Sequence, residues 1–313
     1  GIEDFVTVGE MSSTSLEHCI RYSSPKEKEL SMCFNFHHLK VDYKDGDKWT
    51  LAVPDYKKLK ELFMQWQLGM QAGGGWNALF WCNHDQPHIV SRMGDEGDYW
   101  KESAKMLAGM IHLMRGTPYI YQGEEIGMLN AHYSSIGQYR DVESLNYYQI
   151  LLRKGRTEEE ALRILAARSR DNGRTPMQWN SGTYGGFSEA EPWLSLSGAF
   201  REEITAEFQK EDPDSILSFY KMLISLRKKR PVIAEGTISF LETGNDMTLA
   251  YERELGSDKI AVFCNLGKEE QTVLIGKEWI DGKLLLENYR ERQKTPESEV
   301  FVMKPYELTV LEK

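Results

Sequence analysis

No stretch of this sequence is apolar for long enough to cross a membrane, and residues 1–20 have neither the basic start nor the apolar core of a secretory signal. A basic surplus is also missing. Against 38 Lys and Arg stand 48 Asp and Glu, and the formal charge of −10 excludes a general binder of nucleic acid or anionic membranes. Cysteine is scarce: Cys19, Cys33, Cys82 and Cys264 form no close pair and no CxxC, so reduced thiols in a cytoplasmic protein are expected. There is no internal repeat and no low-complexity tract. An initiating Met is absent too, and Gly1-Ile2-Glu3-Asp4 runs straight into an apolar segment, which reads as a piece of a longer protein. What is present is a globular composition, 41% apolar and 27% charged over 313 residues, enough for one large domain and a smaller one.

Hydrophobic patterning predicts buried strands at 5–8, 30–36, 78–82 and 119–121, separated by helices at 55–71 and 100–115. The first helix should end at Gly73-Gly74-Gly75. Alternating strand and helix implies parallel pairing through crossover helices, and four such repeats are half of an eightfold barrel. A long excursion follows at about 124–212, with one clear helix at 158–168, and then a helix at 215–230 stopped by Pro231. Beyond Gly236, short alternating runs at 237–241, 248–252, 259–265, 271–275, 284–286 and 307–311 predict an antiparallel β domain of sandwich type. The expected domains are 1–231 and 232–313.

Two apolar runs end abruptly in carboxylates: Thr7-Val8-Gly9-Glu10 and Phe80-Trp81-Cys82-Asn83-His84-Asp85. A parallel barrel delivers acids to a shared mouth in this way. Two carboxylates beside a substrate are what glycoside hydrolysis requires. Alone, Glu10 would read as a surface acid and His84 as a satisfied strand-end histidine. Together, these motifs resemble the later active-site motifs of the α-amylase superfamily (glycoside hydrolase family 13). The resemblance implies an α/β fold: strands five to eight of a (β/α)8 TIM barrel, followed by an all-β C-terminal sandwich. It makes Glu10 the general acid/base and Asp85 the stabiliser of the transition state, with His84 donating to a sugar hydroxyl. Such an acid must hold its proton near neutrality, which calls for burial and a neighbouring carboxylate.

Arg170-Asp171-Asn172-Gly173-Arg174-Thr175-Pro176-Met177-Gln178-Trp179 is similar to a run of the oligo-1,6-glucosidase branch of that superfamily. The resemblance makes Arg170, and next Arg174, the residue that closes the pocket; the other reading pairs an Arg with Asp171 to brace a loop. Tyr121-Gln122-Gly123-Glu124-Glu125-Ile126-Gly127 also matches that branch and reads as structural, its acidic pair holding loops.

Phe36-His37-His38-Leu39-Lys40, with Lys48 close behind, departs from the acidic character that this branch shows there. A basic cluster in an acidic chain suits a phosphate, and the segment resembles the trehalose-6-phosphate hydrolases (phosphotrehalases) of the same branch. His37, His38, Lys40 and Lys48 would then hold the phosphate; a merely solvated loop is the alternative. A metal site would need a third ligand of fitting spacing, which the sequence lacks, so neither metal nor cofactor is expected. A second departure is His88, where the branch carries Arg after Asn-His-Asp-Gln-Pro, and contacts there are expected to be weaker or pH-dependent.

The nucleophilic Asp of this superfamily, in a Gly-Phe-Arg-x-Asp-like run, has no match in the chain. The first four strands would precede residue 1, and the chain alone is expected to be inactive. Three readings follow. The first is part of an enzyme that hydrolyses trehalose 6-phosphate to glucose and glucose 6-phosphate with retention, its partner the missing N-terminal half. The second is an oligo-1,6-glucosidase acting on unphosphorylated sugars. The third is a carbohydrate-binding or scaffolding module without chemistry.

Overall fold

The computed structural model describes residues 5–290 and 296–313, so Gly1-Ile2-Glu3-Asp4 lies outside them. Strands β1 (Val8–Met11), β2 (Met32–Asn35), β3 (Asn77–Leu79) and β4 (Thr117–Pro118) pair in chain order, and every pairing is parallel. Chain-order parallel pairing needs crossovers. They contain helices α1 (Leu16–Ser23), α2 (Tyr56–Gly73), the short α3 (Ile89–Met93) and α4 (Trp100–His112).

The strands lie a few residues from their expected places. The first begins at Val8, with Phe5 and Val6 left exposed, and the fourth is Thr117–Pro118 rather than 119–121. Tyr119 adds one further bond, its N–H donating to the Leu79 carbonyl at 2.7 Å. α2 starts where Asp55 accepts from the Lys58 N–H at 2.9 Å. It buries Leu59, Phe63, Trp66 and Met70, one stripe at helical spacing. It ends as expected, with Gly74 in the left-handed region at φ 74°.

The excursion holds three α-helices where one was expected: α5 (Val142–Arg153) precedes α6 (Glu158–Arg168), and the short α7 (Ala206–Lys210) follows. α8 (Ile216–Lys229) is capped by Ser215. Pro231 then does more than stop it, occupying the first turn of α9 (Pro231–Glu235), where its missing N–H costs nothing.

The C-terminal region carries β5 (Thr237–Phe240), β6 (Thr248–Leu255), β7 (Asp258–Asn265), β8 (Gln271–Leu274), β9 (Lys283–Glu287), β10 (Val300–Met303) and β11 (Leu308–Glu312). β10 is the one strand the pattern did not predict. Five strands form an antiparallel sheet in the order β5-β6-β7-β11-β9, and β8 and β10 form a separate two-stranded ribbon. β7 is almost continuously apolar because both of its faces are covered. Ile260, Val262 and Cys264 join the main core, while Ala261 and Phe263 join the cluster with Val273, Phe301 and Met303 of the ribbon. α4 packs on this sheet as well as on β4, which is why it is buried almost all round. The Tyr251 hydroxyl donates to the Met110 carbonyl at 2.8 Å, and Gly109 lies directly against Leu308.

Candidate active site

The C-terminal ends of the parallel strands open into a cavity of about 220 Å³ lined by Glu10, Phe34, Phe36, Phe80, His84 and Tyr121, among others. Glu10 reaches it from the end of β1, in register with Phe34 of β2. Its side chain is exposed, so the burial expected of an acid/base is not supplied by the described residues.

Beyond β3 the chain runs through Phe80-Trp81-Cys82 and then reverses. The Asn83 side chain accepts from the Asp85 N–H at 2.8 Å, and its carbonyl accepts from the Gln86 N–H at 3.2 Å. An Asn side chain that mimics a turn's backbone fixes such a reversal. Below it, the Cys82 Sγ accepts from the Ile89 N–H at 3.3 Å, and the Trp81 indole donates to the Leu107 carbonyl at 2.7 Å. The apolar run is thus pinned to α4 while His84 and Asp85 stand at the rim.

The short helical turn Arg170–Arg174 lies on that reversal. A Cβ on Gly173 would come within 2.7 Å of the Gln86 carbonyl and 2.8 Å of the Asn83 carbonyl, so only glycine permits the approach. Arg174 then donates from Nη2 to Asp85 Oδ1 at 2.6 Å and from Nε to the His84 carbonyl at 2.8 Å. Arg170 places Nη1 3.8 Å from Asp85 Oδ2 and Nε 3.0 Å from Glu143 Oε2. Asp171 does not pair with either Arg in the manner of the bracing alternative. Its Oδ2 accepts from the Arg140 and Asp141 N–H groups, at 2.8 and 3.0 Å, tying the turn to the start of α5.

The structure therefore brings Asp85, His84, Arg170 and Arg174 together, with Glu10 at the same mouth. The basic cluster behaves differently. His37, His38 and Lys40 sit on one short 3-10 turn, where residues three apart share a face and adjacent ones do not. His38 is consequently turned into the core among Phe63, Phe80 and Trp81, its Nε2–H donating to the Phe80 carbonyl at 2.9 Å. Burial pushes it down to about 4, only partly opposed by that bond, so it is neutral near pH 7. This corrects the expectation that His38 would meet a ligand. His37 and Lys40 share the other face. His37 packs on Trp66, and burial and then the Lys40 charge lower it. Lys40 donates to the Ser12 carbonyl at 2.7 Å, whereas Lys48 pairs with Glu143 at 2.7 Å, so the four residues do not converge on one point.

His88 is buried as well and lowered by burial to about 4, which places its titration well below neutral pH rather than near it. Glu124 is buried beneath the mouth, accepting from the Tyr220 hydroxyl at 2.8 Å, in keeping with a structural role.

The sequence reading missed what anchors the basic loop. Asp42 is buried between two arginines. Arg92 binds it with both Nε and Nη2 at 2.8 Å, and Arg168 bonds its carboxylate and its carbonyl. Burial would raise this carboxyl, but the Arg92 hydrogen bonds and the two guanidinium charges outweigh it and hold it below its usual range. It also missed Asp141 and Glu143, the N-cap and a first-turn residue of the unexpected helix α5. Among the described residues, no group of three or more His, Cys, Asp or Glu side chains is placed to hold a metal ion.

Comparison with known families matches residues 2–236 to the α-amylase catalytic domain. The chain belongs to the α-amylase family. Within that family it is 51% identical to the trehalose-6-phosphate hydrolase of Escherichia coli (strain K12) over 93% of this chain and 52% of that protein. Against the oligo-1,6-glucosidase of Bacillus cereus the identity is 39%, over 98% of this chain and 55% of that protein. The crystal structure of Bacillus licheniformis trehalose-6-phosphate hydrolase superposes with a TM-score of 0.92 at 48% identity, covering 98% of this chain and 56% of that one. The chain thus spans about half the length of the relatives it matches.

Proposed function

We propose that this chain is the C-terminal part of an enzyme that hydrolyses the α-glucosidic bond of trehalose 6-phosphate by a retaining mechanism, and that it is inactive alone. The carrying observation is the mouth itself: Glu10 and His84 line one cavity, and two arginines from the 170–174 turn reach the adjacent Asp85. The greater identity to a phosphosugar hydrolase than to an oligo-1,6-glucosidase supports the choice of substrate.

In this reading the four parallel strands are the fifth to eighth of a (β/α)8 barrel, the N-terminal half being the partner that completes it. That half carries the nucleophilic carboxylate, which a retaining enzyme needs about 5–5.5 Å from its acid/base. It also encloses Glu10, supplying the burial that an acid requires. Glu10 protonates the leaving glucose 6-phosphate and then activates water for the second step. Asp85 and His84 bind hydroxyls of the glucose that stays behind. Lys48, which stands beside Glu143 and Arg170, meets the phosphate, whereas Lys40 and His37 share another face of the basic loop. A cytoplasmic setting fits four buried, free cysteines.

The test is turnover of trehalose 6-phosphate against isomaltose by the full-length protein. Strong preference for the phosphosugar supports the reading. Preference for isomaltose moves the protein to the oligo-1,6-glucosidases.

A further inference from the structure

One oxygen in this structure serves two cations from distant parts of the chain. Glu143 Oε2 lies 2.7 Å from Lys48 Nζ and 3.0 Å from Arg170 Nε. The same guanidinium faces Asp85 on its other side, 3.8 Å away. We propose that Glu143 is an internal substitute for the substrate's phosphate: it holds Lys48 and Arg170 in place until a phosphate dianion takes over the Lys48 contact. This inference rests on the phosphosugar reading above and adds how the site recognises its anion.

Three observations carry it. The side chains of Lys48, Glu143 and Arg170 are 21%, 35% and 37% exposed, so an incoming anion can reach the pair and solvent weakens it. Lys48 has a second support, its ammonium lying 4.7 Å from the centre of the Trp49 ring, so it keeps its place when Glu143 lets go. Glu143 also has somewhere to remain. It sits in the first turn of α5, where the helix dipole favours a carboxylate, and it keeps Arg170 as a partner. A phosphate carries more charge and more acceptor oxygens than the carboxylate it replaces at Lys48. A neutral sugar offers nothing in exchange, so the Lys48–Glu143 pair stays closed against it. Glu143 is thus a positioning residue that acts through Lys48 and Arg170.

The experiment uses the full-length protein and an unphosphorylated chromogenic α-glucoside, with glucose 6-phosphate and glucose as competing inhibitors. Replacing Glu143→Gln removes the competing charge and keeps the shape. The inhibition constant of glucose 6-phosphate is expected to fall about fivefold, while that of glucose stays within about twofold. Adding Lys48→Ala should abolish that gain, and Glu143→Asp, which keeps the charge, should resemble the wild type. If the wild type prefers glucose 6-phosphate but Glu143→Gln leaves its inhibition constant unchanged, the role of Glu143 is overturned and the phosphosugar reading stands. If the wild type does not distinguish glucose 6-phosphate from glucose, the phosphosugar reading itself falls.

Discussion

Arg174 binds Asp85 and the peptide before it: Nη2 donates to the Asp85 carboxylate at 2.6 Å, and Nε donates to the carbonyl of the preceding His84 at 2.8 Å. The guanidinium fork thereby fixes both the charge of Asp85 and the backbone that carries it. Lysine has the charge without the fork. In the full-length protein, Arg174→Lys should lower kcat/KM by about 10–100-fold, the worth of one or two charge-assisted hydrogen bonds. Steady-state kinetics with the phosphosugar checks this, and a change within twofold would show that Arg174 does not position Asp85.

Gly173 makes that grip possible by letting the arginine turn rest on the carbonyls of Asn83 and Gln86. Those carbonyls are backbone and cannot swing aside. Gly173→Ala should therefore destabilise the chain by about 1–3 kcal/mol through overpacking and, in the full-length protein, reduce kcat more than KM. Urea unfolding with parallel kinetics reads both effects; an unchanged unfolding midpoint would contradict the contact.

Asp42 sits between Arg92 and Arg168, and all three side chains are nearly inaccessible to solvent. Replacing it by Asn leaves two guanidinium groups without their counter-ion in the interior. A loss of about 3–5 kcal/mol is expected, measured as a fall in unfolding free energy. A loss below about 1 kcal/mol would mean that the arginines find other partners.

How far the sequence disclosed this arrangement depended on the range of the interactions. β1 and β2, the stripe of α2 and Gly74 follow local patterns and appear within a few residues of their expected positions. Glu10 and Asp85 stood out because an apolar run ending in an acid is itself a local signal. α5 was missed because several of its apolar residues face solvent, Val142 and Leu145 among them, although Asp141 as N-cap and the buried Tyr148 and Leu151 mark it. β10 was missed because it pairs only with β8 in a narrow ribbon. The inward turn of His38 and the joining of Asp42 to Arg92 and Arg168 are decided by packing between segments 42–126 residues apart, which no local pattern encodes.

Glu124 gives the chain a pH signature. Burial first, and the charge of Glu125 in addition, push it up to about 7 despite the bond from Tyr220. An unfolded Glu titrates near 4.3, so between roughly pH 4.5 and 7 the folded chain keeps a proton that the unfolded chain has released. Its contribution to stability must fall as pH rises through that window and level off above it. The buried His38, His88 and His112 act in the opposite sense below about pH 6.5: lowered to about 4, 4 and 3, they cost stability as the pH drops. Subtracting the Glu124→Gln curve from the wild-type curve isolates Glu124. The difference should decline by up to about 3 kcal/mol across the window, and two parallel curves would contradict the assignment.

The most direct measurement on the central claim is Glu10→Gln in the full-length protein, followed by both turnover and binding of trehalose 6-phosphate. Glu10 stands at the end of β1, lining the mouth beside His84 and the arginine-held Asp85. Glutamine keeps its shape but has no acidic proton to give to a leaving group. The account predicts that turnover is lost while the phosphosugar still binds with near wild-type affinity. Turnover at the wild-type rate would contradict it and remove Glu10 from the chemistry.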